Sequence, residues 1–345
     1  MSSGSKYRVC LVGSGNWGSA IARIVGENVK RYDEFNELVL MWVFEEMVEG
    51  RKLSEIINTE HENVKYLKGY KIPENVVAVP NVVETVKGAT ILVFVMPHQF
   101  VKRVCEQIRE YLEPDAFAVS LIKGLDTSKK GLVLTSSVIG DTLGGVACSV
   151  LMGANVANEV AAKHFCESTL GCTDADQGEV LRKLFHVPYF RVSVCRDACT
   201  VELCGALKNI IAIGAGICDG LGYGSNTKAA IIRIGLKEIM RVAKDLFNGG
   251  HESTFLESCG VSDLITTCYS GRNRKVAEAF VKTGKSFSEL EREMLDGQKL
   301  QGPSAAAELH RTLKEKGIAE KYPLFTAIYR TCYEGLSPRE LLENI

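Results

Sequence analysis

The chain is poor in the features that mark several large protein classes. None of its 12 cysteines forms a Cys-x-x-Cys pair, and its six histidines include no His-x-x-x-His pair or carboxylate-flanked cluster. A disulfide scaffold and a metal site are therefore not expected, and the thiols are read as reduced and mostly buried. Charge of one sign is also lacking: 41 Lys and Arg face 42 Asp and Glu, a formal net charge of -1. No broad basic field is available for nucleic acid. Met1–Ser5 is short and polar and shows neither the apolar core of a signal peptide nor an Arg-rich transit pattern. The longest apolar-looking run, Leu203–Cys218, contains Lys208, Asn209 and three glycines. It falls short of the roughly 18 apolar residues of a membrane span, so a buried helix is expected and no membrane span. The chain ends Leu342-Glu343-Asn344-Ile345, which is not a peroxisomal address. The expected compartment is the cytoplasm.

What is present points to two domains, because 345 residues exceed the roughly 250 to 300 at which single cores stop growing. In residues 1–194, short β-rich runs alternate with helix-period segments, the pattern of βαβ units on a parallel sheet. Strands are predicted over Tyr7–Val12, Leu38–Phe44, Val76–Val79, Thr90–Met96, Ala116–Ile122 and Ala147–Met152. Residues 195–345 read as helices only: Thr200–Cys218, Thr227–Phe247, Thr254–Cys268, Arg274–Thr283 and Ser304–Lys316. The fold class is thus α/β, a Rossmann-like doubly wound sheet followed by an all-α domain. Long linkers are absent, which predicts a continuous interface between the domains.

The first strand runs into Gly13-Ser14-Gly15-Asn16-Trp17-Gly18, and Trp17, Ala20, Ile21, Ile24 and Val25 then recur with helical spacing. This is Gly-x-Gly-x-x-Gly in the context it requires. Gly13 permits the tight turn, Gly15 lets backbone amides approach a pyrophosphate, and Gly18 lets helix and strand pack closely. A dinucleotide cofactor follows. The second strand ends in Val43-Phe44-Glu45-Glu46, where an acidic residue commonly bonds the adenosine ribose and repels a 2′-phosphate. That favours NAD, although both glutamates also fit a solvated strand end and Arg51 is a nearby cation. Three other strand ends carry polar loops: Pro97-His98-Gln99-Phe100, Lys123-Gly124 and Gly153-Ala154-Asn155.

Reducing a ketone needs a proton donor, a group that holds the substrate's charge, and a hydride source. Lys208 is the sole ionisable group besides thiol in Leu203–Gly216. Burial would lower its pKa towards neutrality and make it a general acid/base. A lysine snorkelling from a helix end or pairing with Glu202 is the alternative. Lys123 could orient a carbonyl or phosphate, or be a surface lysine. Asp263 could tune Lys208, but sequence favours a helix cap. Ser270-Gly271-Arg272-Asn273-Arg274 combines a flexible glycine, a guanidinium fork and helix-start amides, a phosphate cradle with Arg272 as its ligand. An ordinary solvated turn has the same composition. His98 follows a proline with no carboxylate nearby to orient it, so a packed or capping histidine is preferred to a catalytic base.

Taken in order, Gly13–Ala20, Met152-Gly153-Ala154-Asn155, Leu203–Asn209, Gly271-Arg272-Asn273 and Gly297–Pro303 resemble the eukaryotic cytosolic NAD-dependent glycerol-3-phosphate dehydrogenases across nearly the whole chain. The resemblance implies a homodimer that interconverts dihydroxyacetone phosphate and sn-glycerol 3-phosphate, with Lys208 as proton acceptor for glycerol phosphate oxidation. It implies NAD contacts from Phe44, Phe100, Ala157, Arg272, Lys299 and Gln301. Lys123, Arg272 and Asn273 would bind substrate, and Asn209, Asp263 and Thr267 would complete the catalytic surroundings. Two rivals remain at this level: a β-hydroxyacid dehydrogenase, and a nicotinamide-binding regulator without turnover.

Overall fold

A strand apolar on both faces must be covered on both, and the strand before the glycine turn meets that demand. In the computed structural model, which describes residues 7–128, 131–247, 249–295 and 297–344, β1 (Val9–Val12) is wholly buried. Val9 and Leu11 point into one hydrophobic cluster, Cys10 and Val12 into another. The strands that follow are β2 (Val39–Trp42), β3 (Met47–Val48), β4 (Arg51–Lys52), β5 (Val76–Val79), β6 (Ile91–Phe94) and β7 (Phe117–Ser120). Then come β8 (Leu125–Ser128), β9 (Gly131–Leu134), β10 (Cys148–Met152), β11 (Cys166–Gly171) and β12 (Phe190–Cys195).

Eight of these strands form one sheet in the order β12-β11-β10-β7-β6-β1-β2-β5. All its pairings are parallel except β10 with β11. From β1 the chain winds one way through β2 and β5 and the other way through β6, β7 and β10. The strand order therefore reverses beside β1, and a ligand of such a sheet lies outside the strands' carboxyl ends at that switch point. The glycine turn stands there. All six strands read from sequence are present, Val76–Val79 with the bounds expected and the other five shortened. Strands β11 and β12 escaped the reading, because β11 carries polar Ser168 and Thr169 that are nonetheless buried, and the Ser168 hydroxyl donates to the Met152 carbonyl at 3.0 Å.

The chain forms two compact units: residues up to Ile122 with Thr135–Ala198, and Lys123–Leu134 with the chain from Cys199 onward. The β8–β9 hairpin thus groups with the helices rather than with the sheet that precedes it. In the helical unit, Ala198–Gly220 runs 23 residues and is buried at every position from Thr200 to Cys218. It has the length and composition of a membrane span, but protein covers it on all sides, the expected surroundings of a helix apolar all round. Gly216 permits that covering, since a Cβ there would lie 2.2 Å from the Arg274 carbonyl oxygen. The helix expected over Thr254–Cys268 is broken into a 3₁₀ turn Glu252–Leu256, a π turn Ser258–Ser262 and the helix Asp263–Ser270. Gly260 sits at the break, where a Cβ would lie 2.2 Å from the Phe255 carbonyl oxygen. Helices Phe287–Leu295 and Pro323–Tyr333 were not anticipated.

Candidate active site

The cofactor half is built from backbone. Gly13 adopts φ +124°, and a Cβ on it would lie 2.4 Å from the Val95 carbonyl oxygen. A Cβ on Gly18 would lie 2.7 Å from the Gly13 carbonyl oxygen, but one on Gly15 would meet nothing within 4 Å. Two glycines are thus required by the protein's own packing, and the middle one faces open space that a pyrophosphate can use. Gly15 is also the cap of helix Asn16–Asn28, which has no side-chain cap and no acidic residue in its first turn. Its amides and dipole are left for an anion. The loop is held from behind: Asn63 donates to the Ser14 carbonyl at 2.8 Å and to the Ser19 hydroxyl at 2.9 Å. Asn16 donates to the Tyr66 carbonyl at 2.6 Å and to Asn158 at 3.0 Å, while Trp17 packs on the core against Phe190.

At the neighbouring strand ends, Phe44 and Phe100 are exposed, 70% and 46%, an unusual state for phenylalanine that suits a planar ligand. Ala157 begins the short helix Ala157–Ala161 and is buried. The residues present therefore fit NAD. Glu45 and Glu46 do not stand as the usual ribose rule suggests: Glu45 accepts from Ser54, and Glu46 from Lys65 and Tyr66. Asn155 is likewise engaged, donating to the Glu167 carbonyl and accepting from Ser168.

The helical unit holds a different kind of site, made from side chains far apart in sequence. Lys208 is 6% exposed, and its Nζ donates to Asp263 Oδ1 and, at 2.7 Å, to Thr267 Oγ1. Lys123 donates to the other oxygen, Asp263 Oδ2, at 2.8 Å. Asp263 and Thr267 are one helical turn apart on Asp263–Ser270, which puts both on the face that meets Lys208. The carboxylate favoured as a helix cap is instead the bridge between two ammonium groups. Burial is the largest influence on Lys208 and lowers its pKa; Asp263 opposes this and Lys123 adds to it, leaving a pKa of about 7.

Next to Lys208, Asn209 accepts from Asn273 Nδ2 at 3.1 Å, and Asn273 Oδ1 accepts from the Gly302 amide at 2.9 Å. A Cβ on Gly302 would lie 2.6 Å from the Asn209 carbonyl oxygen, so glycine is needed for this approach. Arg272 opens helix Arg272–Thr283 behind the cap residue Gly271, is exposed, and donates to Gln298 at 2.9 Å. Lys299 extends into solvent from a loop whose base is held by buried Glu291, which accepts from Lys299 at 2.7 Å and from the Leu300 amide at 2.9 Å. Gln301 starts the helix Gln301–Glu315. The helical unit thus gathers Lys208, Asp263, Thr267 and Lys123 in one hydrogen-bonded group and links Asn209, Asn273 and Gly302 in a second.

Residues 8–178 match the family model of the NAD-dependent glycerol-3-phosphate dehydrogenase N-terminus, and residues 197–343 match that of its C-terminus. The chain is 61% identical over 329 residues to the cytoplasmic glycerol-3-phosphate dehydrogenase [NAD(+)] of Rattus norvegicus, covering 95% of this chain and 94% of the relative. It belongs to the NAD-dependent glycerol-3-phosphate dehydrogenase family. Among solved structures, the glycerol-3-phosphate dehydrogenase of Saccharomyces cerevisiae superposes with a TM-score of 0.92 at 44% identity, covering 98% of this chain and 99% of that one. The Dunaliella salina enzyme superposes with a TM-score of 0.94 at 40% identity; the match takes in 99% of this chain but only 60% of that longer one.

Two supports of this dehydrogenase site gave no signal in sequence. Asp219 accepts from Lys228 at 2.8 Å and from Arg274 at 2.5 Å, which ties the helix start after Gly271 to the ends of two other helices. Burial pushes its carboxyl up, but the two cations outweigh it and hold the pKa below the ordinary value. Glu291 is the other. Both looked like ordinary charged residues, because their partners come from other turns and helices.

Proposed function

We propose that this family member interconverts dihydroxyacetone phosphate and sn-glycerol 3-phosphate with NADH and NAD, and that Lys208 gives the proton to the substrate oxygen in reduction and takes it back in oxidation. The observation that carries this reading is a buried lysine held by Asp263 and Thr267 with a pKa near neutrality, because an acid/base works best when both of its forms are accessible at the operating pH. NAD supplies the hydride chemistry when bound. Gly13, Gly15 and Gly18 with the first amides of the following helix would hold its pyrophosphate, Phe44, Phe100 and Ala157 would flank it, and Lys299, Gln301 and Arg272 would add contacts. Residues 1–194 serve as the cofactor domain and 195–345 as the substrate domain, with Lys123 acting alongside the latter.

In the substrate half, Arg272 and Asn273 bind the phosphate, Lys123 stabilises the developing alkoxide, and Asp263 holds both lysines in register. Asn209 and Thr267 fix the geometry around Lys208. The assembly proposed is a homodimer, in the compartment named for the rat relative, the cytoplasm. A sensor without turnover would need only the cofactor half, yet the proton-transfer cluster is intact. A β-hydroxyacid substrate would leave the phosphate ligand without its purpose.

The test is NADH oxidation with dihydroxyacetone phosphate, run beside NADPH, unphosphorylated dihydroxyacetone and a β-ketoacid. Rapid turnover is expected only with NADH and the phosphorylated ketone. Lys208→Ala should lower kcat about 10²- to 10⁴-fold with NADH affinity retained. Wild-type turnover in that variant would remove the acid/base assignment. Reduction needs protonated Lys208, so its rate should fall as pH rises through about 7, and oxidation should rise over the same interval.

A further inference from the structure

Three charges in the helical unit stand at the wrong ends of their own helices. A helix favours anions at its start and cations at its end. Asp219 is nevertheless the penultimate residue of helix Ala198–Gly220, Lys228 is the fourth residue of Ser225–Phe247, and Arg274 the third of Arg272–Thr283. Local helix formation therefore disfavours all three, and a local rule broken repeatedly at one point marks a place kept for another purpose. Together they form one cluster. Asp219 Oδ2 accepts from Lys228 Nζ at 2.8 Å and from Arg274 Nε at 2.5 Å, and Lys228 Nζ lies 4.3 Å from the centre of the Tyr269 ring. The cluster grips a corner: helices Asp263–Ser270 and Arg272–Thr283 meet at Gly271, where a Cβ would lie 2.5 Å from the Thr267 carbonyl oxygen. Helix Ala198–Gly220 holds that corner at three points, Lys208 on Thr267, Asn209 on Asn273 and Asp219 on Arg274. Lys208 and Asp219 are three turns apart, about 11 residues, and so share one face. Between them, Gly216 lets the first turn of Arg272–Thr283 rest directly on this helix, since a Cβ there would lie 2.2 Å from the Arg274 carbonyl oxygen.

We propose that Asp219 is a positioning residue for the substrate phosphate: by tying Arg274 and Lys228 to the end of the helix that carries Lys208, it sets the first turn of Arg272–Thr283 and so aims the Arg272 guanidinium. Arg272 opens that turn and is exposed, so the backbone of the next two residues decides where its fork points. Without the Asp219 carboxylate, Lys228 and Arg274 face one another as like charges, and the turn loses its tie. A guanidinium grip on phosphate depends on fixed geometry and suffers from such a release. Lys208 does not, because its own bonds to Asp263 and Thr267 remain. The phosphorylated ketone then binds more weakly while turnover at saturation changes little. The inference rests on the reading of Arg272 as the phosphate ligand.

Steady-state NADH oxidation tests this with wild type, Asp219→Asn, Arg274→Met, Glu278→Gln and Arg272→Ala, each checked for folding by thermal unfolding. The substrates are dihydroxyacetone phosphate and unphosphorylated dihydroxyacetone, and inorganic phosphate is titrated as a competitive inhibitor. Asp219→Asn and Arg274→Met should each raise the KM for the phosphorylated ketone and the Ki for phosphate about tenfold, with kcat within about threefold of wild type. The KM for NADH, and kcat/KM for the unphosphorylated ketone, should stay near wild type, a split that general loss of structure does not produce. The double variant should be little worse than either single one, because both break the same tie. Glu278→Gln removes an ion pair that Arg274 makes within its own helix and should leave the KM unchanged. If Asp219→Asn does not fold, Arg274→Met decides the matter. A wild-type KM for the phosphorylated ketone in either folded variant would overturn the proposal, as would an equal fall in kcat/KM with both ketones. A wild-type KM in Arg272→Ala would instead overturn the phosphate assignment, and the proposal with it.

Discussion

The sheet unit and the helical unit build their candidate sites from opposite materials. In the first, the candidate groups are backbone amides, and the side chains that matter are those that are missing: Gly13 and Gly18 make room for the fold, and Gly15 faces open space. In the second, the candidate groups are side chains on separate helices and on the segment just before a hairpin. Lys208 and Asp263 are 55 positions apart, and Lys123 and Asp263 are 140 apart. A backbone site is local and depends on a short run of residue types. A side-chain site depends on helix packing, and its chemistry appears only when burial and neighbouring charges act together.

The largest expected effect tests the backbone half. Gly15→Ala adds a Cβ that meets no atom within 4 Å, so its melting temperature should stay near wild type while NADH affinity drops roughly a hundredfold, the loss of two charge-assisted hydrogen bonds. Gly13→Ala should do the reverse first. Its positive φ and the contact with Val95 should cost about 3 kcal/mol or more, measurable by urea unfolding. If the two variants behaved alike, the separation of ligand space from packing space would be wrong.

A second comparison probes the side-chain half through pH. Asp263 raises the Lys208 pKa and Lys123 lowers it. Asp263→Asn should therefore move the alkaline limb of the reduction profile to lower pH, and Lys123→Met should move it to higher pH, each by about one unit. Both variants should be slower than wild type, but the opposite directions of the limbs are the informative readout. Displacement of both limbs in the same direction would refute the electrostatic coupling. The smallest effect is expected for Thr267→Val, which removes one hydrogen bond to Lys208 and should lower kcat about tenfold, with the KM for NADH unchanged.

Legibility follows the same division. The strand, glycine turn and helix were readable because each signal lies within a few residues, and apolar strands such as Val9–Val12 cannot be mistaken for surface. The strand Cys166–Gly171 was not, since buried serine and threonine look like a loop until the Met152 carbonyl is seen to receive one of them. The helical period over Thr254–Cys268 was real, yet at the close approach of Gly260 to Phe255 it divides into a 3₁₀ turn, a π turn and an α-helix. Glu45 and Glu46 stood where a ribose ligand is looked for, but Ser54, Lys65 and Tyr66 take their oxygens first.

By itself, then, the order of residues determined the α/β class, the glycine turn between the first strand and its helix, and the presence of a lysine in an apolar helix, because hydrophobic period and glycine stereochemistry act over one or two turns of chain. The tertiary structure alone decided that Asp263 bridges two lysines instead of capping its helix, that Lys208 titrates near neutrality, and that Glu45 accepts from Ser54. Those outcomes depend on which charges are brought within hydrogen-bond reach and how much water is removed around them, and neither quantity is carried by any local stretch of sequence.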